Sequence, residues 1–60
     1  MSRFNSLKRG QMYSFVFMGG ITFLTGVFHD IRSDGTLHVS DGVHEYFLNP
    51  DNIVYARMTA

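Results

Sequence analysis

From Gln11 to Met58 the chain reads as short apolar runs rich in valine, isoleucine, threonine and aromatic residues. They are cut at Gly19-Gly20, Ser33-Asp34-Gly35, Asp41-Gly42 and Asn49-Pro50-Asp51-Asn52. β-Branched and aromatic side chains suit the pleated, half-buried surface of a strand, and Gly, Asn, Asp and Pro supply turn geometry. The pattern predicts five strands near Gln11–Met18, Ile21–Ile31, Thr36–Ser40, Val43–Leu48 and Ile53–Met58. Gly26, inside the long second strand, predicts a sharp bend. Ahead of the strands, Ser2 can cap a short helix over 2–9, with Phe4 and Leu7 one turn apart, Lys8 and Arg9 at its negative end and Gly10 as the stop. One or two turns do not hold alone in water, so Phe4 and Leu7 are expected to dock onto the strands.

Turn chemistry selects registers. A two-residue Asp41-Gly42 turn pairs Val39 with His44 and Leu37 with Tyr46, and leaves His38 opposite Glu45 on the other face. A three-residue Ser33-Asp34-Gly35 loop with a left-handed glycine pairs Ile31 with Leu37, which a two-residue loop would not. The inward set then runs Val16, Met18, Ile21, Phe23, Val27, Ile31, Leu37, Val39, Tyr46 and Leu48, with either Val54 and Ala56 or Ile53 and Tyr55 from the last strand. Tyr13, Phe15, Phe17, Leu24 and Phe28 fall on the opposite face, where so large an apolar set predicts an oligomer or partner surface. The expected fold is all-β: one domain over 1–60, a small five-stranded barrel over 11–58.

Composition narrows the function. Sixty residues without cysteine form one core with no disulfide and no thiolate metal site, and they bury only about 60% of the unfolded chain's surface, which favours association. An intracellular, cytoplasmic setting follows as the default. The apolar stretch from Phe15 to Phe28 is interrupted by Gly19, Gly20, Thr22, Thr25 and Gly26, so neither a membrane span nor a signal peptide is expected. Five basic and five acidic residues cancel, which removes a bulk electrostatic case for nucleic acid and requires any such contact to be local.

His29, His38 and His44 have spacings that fit no metal motif, and no serine lies in a nucleophile turn, so the chain is expected to be a non-enzyme without a cofactor. Tyr13, Phe15, Tyr46, Phe47 and Tyr55 offer rings on which bases can stack, and Arg3, Lys8, Arg9, Arg32 and Arg57 can meet a phosphate. The Asn49-Pro50-Asp51-Asn52 loop is polar and held by a strand at each end, as binding loops are, although its side chains can equally cap their own backbone.

The run Phe15-Val16-Phe17-Met18-Gly19-Gly20-Ile21-Thr22-Phe23-Leu24-Thr25-Gly26-Val27 resembles the first motif of the Sm-like (Hfq-like) family, and Ile53-Val54-Tyr55-Ala56 resembles its closing strand. A Src-homology-3-like barrel shares the strand order. Arg32 stands where the family has an aspartate, and Leu48 and Asn49 stand where Hfq-like chains carry a lysine–histidine pair. The resemblance implies a small barrel in a cyclic homo-oligomer, the fourth strand of one copy pairing with the fifth of the next. RNA or a small nucleotide would then lie at the junctions. The residues expected to hold it are Asn49, Asp51 and Asn52 for base edges, Arg32 or Arg57 for phosphate, and Tyr46 or Phe47 for stacking. The other reading is a protein-interaction module, of viral or mobile-element origin, that blocks a host protein through Tyr13, Phe15, Phe17, Leu24 and Phe28, or that sequesters a nucleotide signal.

Overall fold

The computed structural model describes residues 4–19 and 23–59. Five antiparallel strands form one open sheet: β1 (Met12–Phe17), β2 (Phe23–Ile31), β3 (Leu37–Ser40), β4 (Glu45–Leu48) and β5 (Ile53–Met58), in the order β4-β3-β2-β1-β5. β4 and β5 are joined by one turn of 3₁₀ helix, Pro50–Asn52. The expected strands are all present, but the barrel is not closed. β4 and β5 are the two edges of the sheet and do not pair.

The helix expected over 2–9 is also absent among the described residues. In its place is a turn in which the Leu7 amide donates to the Phe4 carbonyl at 3.2 Å. The segment still docks as its two apolar residues require. Phe4 is buried and Leu7 packs against the core, the Lys8 amide donates to the Tyr13 hydroxyl at 2.8 Å, and the Gly10 amide donates to the Phe28 carbonyl at 2.8 Å.

The core consists of Phe4, Tyr13, Phe15, Phe28, Leu37, Val39 and Ile53, with Leu7, Phe17, Leu24, Ile31, Leu48 and Ala56 packed against it. Tyr13, Phe15, Phe17, Leu24 and Phe28, expected to form a partner surface, are therefore the interior. Val16, Met18, Phe23 and Val27, expected inside, lie outside, with Phe23 65% exposed. Ile21 falls outside the described residues.

One irregularity in pairing causes this inversion, and a second alters the faces of β5. Phe28 pairs with Val39 and Asp30 with His38, so His29 is an extra residue in β2. Side chains alternate with a period of two, and one inserted residue reverses every assignment carried through it. Alternation counted back from Ile31, which does face the core, thus places Val27 and Phe23 on the wrong side. The second irregularity lies where Val16 pairs with Tyr55 but Phe17 pairs with Ile53, leaving Val54 extra. Ile53 and Ala56 consequently share the core face, a combination strict alternation excludes.

The three-residue Ser33-Asp34-Gly35 loop forms as expected, with Gly35 at φ +91° and Ile31 opposite Leu37. The β3–β4 hairpin is shifted by two residues. Val39 pairs with Tyr46, Leu37 with Leu48 and His38 with Phe47, because the tight turn is Gly42-Val43, closed by the Asp41 amide on the His44 carbonyl at 3.2 Å. A shift of two preserves the faces, so Leu37 and Val39 remain inside.

A flat single sheet cannot bury its own face, yet Leu37 on β3 is 0% and Ile53 on β5 is 1% exposed. The sheet curls around its core, and at Gly26 the backbone of β2 comes close to β3. A Cβ there would lie 2.7 Å from Val39 Cγ1 and 2.8 Å from the Ser40 carbonyl oxygen. Gly26→Ala is expected to cost about 1–3 kcal/mol by overpacking against backbone that cannot retreat. Urea denaturation measures it, and an unchanged midpoint would contradict the close approach.

Candidate functional site

The outer face of β2, β3 and β4 carries a row of rings. His38 pairs with Phe47 across the hairpin, and the rings stack with centroids 5.0 Å apart at an interplanar angle of 22°. The inserted His29 brings its ring to 4.7 Å from that of His38. At the end of β2, the Arg32 guanidinium carbon lies 4.7 Å from the centre of the Phe47 ring. These spacings match the distance between neighbouring strands, so the sheet itself sets the ladder His29, His38, Phe47. The Arg32–Phe47 contact adds a cation–π attraction.

Phe47 is 52% exposed and stands on an edge strand. The surroundings are polar. Glu45 hydrogen-bonds His38 Nε2, and Arg9 pairs with Asp30 at 2.9 Å beside the row. Both partners of the latter pair are well exposed, so it contributes little to stability. It does place the charge of the N-terminal segment at the margin of the site.

Of the residues expected to bind a ligand, the structure unites Arg32 and Phe47 and disperses the others. Tyr46 faces inward, half-buried, with its hydroxyl donating to Asp41 Oδ2 at 2.9 Å. Asn49 caps the 3₁₀ turn, its side chain accepting from the Asp51 amide at 2.9 Å, and the Asn52 carbonyl accepts from the Met18 amide at 2.8 Å. Asp51 is exposed on that turn. Arg57 lies on β5, at the opposite edge from Phe47, across from Ser14. The expected link between His38 and Glu45 is made, as a diagonal rather than a direct pair. The histidine ladder escaped the sequence reading. Moving the two-residue turn by one position, from Asp41-Gly42 to Gly42-Val43, is what places Phe47 beside His38.

Among the described residues, no three His, Asp or Glu side chains gather into a group that could hold a metal ion. Comparison with protein-family models, with curated proteins and with solved structures gives no match.

The hairpin that carries Phe47 is held by Asp41. Its Oδ1 accepts from the Val43 amide at 2.9 Å and the His44 amide at 2.7 Å. The His44 amide, then the Val43 amide and the Tyr46 hydroxyl, pull the carboxyl down from 3.8 to about 2. The same bond raises the Tyr46 hydroxyl above its usual 10. A depressed carboxylate stabilises the fold above its unfolded value and loses that contribution as pH falls through its folded one. The clamp should therefore be complete above pH 3.8 and open as pH drops through about 2. NMR titration of the Val43 and His44 amides checks this. A midpoint near 3.8 would show that the clamp is not formed.

Proposed function

We propose that the protein is a non-catalytic binding protein that takes a nucleobase of single-stranded RNA, or of a small nucleotide, at the Phe47 end of the ring ladder, with Arg32 meeting the adjoining phosphate. The carrying observation is the contact between an exposed aromatic ring and a guanidinium on the outer face, continued inward by two imidazoles. A base can stack on an exposed ring whatever its sequence, and an arginine beside the ring supplies both charge and a planar surface. The zero net charge gives no bulk attraction to a phosphate backbone, so affinity has to come from such a local group.

An outward-facing site on a curled sheet does not exclude water from a reacting centre, which favours binding over catalysis. The Sm-like resemblance supports the same reading through the nine-residue β2, with its close approach to β3 at Gly26, and the one-turn connection before β5. The reading needs only one copy of the chain. The host-protein reading loses its surface, because Tyr13, Phe15 and Phe28 lie in the core.

Fluorescence anisotropy with short single-stranded RNA and with mononucleotides tests the proposal. Phe47→Ala should weaken binding by roughly fivefold to 150-fold, the equivalent of about 1–3 kcal/mol for one stacked base. Arg32→Gln should flatten the slope of log affinity against log salt by about 0.7. Unchanged binding by a folded Phe47→Ala protein would remove the ladder from the function.

A further inference from the structure

The sheet has two edges, β4 and β5, and among the described residues no strand lies beyond either. Exposed edges invite pairing, and proteins blunt them with shortness, charge or proline. β4 is blunted: it has four residues, begins at Glu45 and runs into Asn49-Pro50. β5 is not. It has six residues with Arg57 as its one charge, and Tyr55 and Met58 are 49% and 53% exposed.

The direction of its backbone groups follows from its pairing with β1. The Thr59 amide donates to the Met12 carbonyl, and the register runs Met58 to Tyr13, Arg57 to Ser14, Ala56 to Phe15 and Tyr55 to Val16. Hydrogen-bonded and non-hydrogen-bonded pairs alternate along an antiparallel ladder. Tyr55 and Arg57 therefore bond toward β1, and Ala56 and Met58 turn their N–H and C=O groups outward.

We propose that a second copy of the chain pairs with this edge, β5 antiparallel to β5, about a twofold axis at Ala56. A twofold axis normal to the sheet keeps like faces together, so only registers that pair residues of equal parity are open. Centring on Arg57 sets two guanidinium groups directly opposite each other, which is repulsive. Centring on Tyr55 places the Val54 irregularity in the middle of the new ladder. Centring on Ala56 brings no like charges together and moves the Val54 irregularity to the end of the ladder, opposite Met58. It sets the outward groups of Ala56 against their own copies, puts only two methyl groups at the axis, and brings Arg57 of each copy onto Tyr55 of the other, a cation–π pair formed twice.

The alternative of β4 against β5 of a neighbour is poorer. β4 and β5 run in the same direction within the sheet, so a head-to-tail contact with aligned faces is parallel. It also overlaps only the four residues of β4, Glu45 included. The twofold contact joins two five-stranded sheets into one, with both ring ladders on the same side.

The absence of cysteine allows a direct test of register. Residues in a hydrogen-bonded antiparallel pair have Cα atoms about 5.5 Å apart, within reach of a disulfide. Sedimentation velocity of the unmodified protein should give a species of twice the 6.8 kDa chain mass. On oxidation Ala56→Cys should form a covalent dimer, whereas Tyr55→Cys and Arg57→Cys alone should not. A mixture of those last two should form the heterodimer, which preserves the test if Ala56→Cys fails to fold. A monomer, a larger ring, or self-cross-linking through position 55 or 57 would overturn the proposal.

Discussion

Everything in this chain depends on one sheet having to bury its own face. Among the described residues there is no second sheet and no helix longer than one 3₁₀ turn to lay against it, so the strands curl until the side chains of β1, β2, β3 and β5 meet. Curling of this degree needs places where the backbone can come close or the ladder can slip. Gly26 provides the first, by leaving room for Val39 and the Ser40 carbonyl where any Cβ would collide. The extra residues His29 and Val54 provide the second, since a bulge bends its strand and increases local twist.

The same irregularities set the chemistry of the outer face. Without the insertion in β2, His29 would be one more alternating side chain. With it, the imidazole stands beside His38 in line with Phe47, and the end of the strand delivers Arg32 to the same ring. The hairpin register is equally decisive, because only the Gly42-Val43 turn places Phe47 opposite His38. Asp41 holds that turn through two amides and the Tyr46 hydroxyl, so a residue on the rim of the core face fixes the geometry of the exposed one.

A domain this small has little margin, and the open sheet leaves two strand edges to manage. The two are treated differently. The short β4 edge, with Glu45 and a proline close behind it, carries the ladder and discourages pairing. The longer β5 edge carries Tyr55, Ala56, Arg57 and Met58 and suits a strand partner. The proposed ligand face and the proposed strand-pairing edge thus fall at opposite ends of one sheet, and neither competes with the other for surface.

Local chemistry made much of this legible in the sequence. Turn residues and β-branched runs located five strands, and Ser33-Asp34-Gly35 specified a three-residue loop, because each depends on backbone preferences of a few neighbouring residues. Arg32 and Phe47 were candidates for phosphate and base for the same reason, as exposed groups of the right chemistry. What the sequence could not convey was parity across distance. Whether Phe15 or Val16 faces the core, and whether Ile53 joins Ala56 there, is decided by one extra residue in a ladder, and that residue is spent to let the sheet curl. The pattern of apolar residues is nearly symmetric between the two faces of β1 and β2. Only the closing of the tertiary structure around Tyr13, Phe15 and Phe28 chose one face as the interior and left the other to carry the rings.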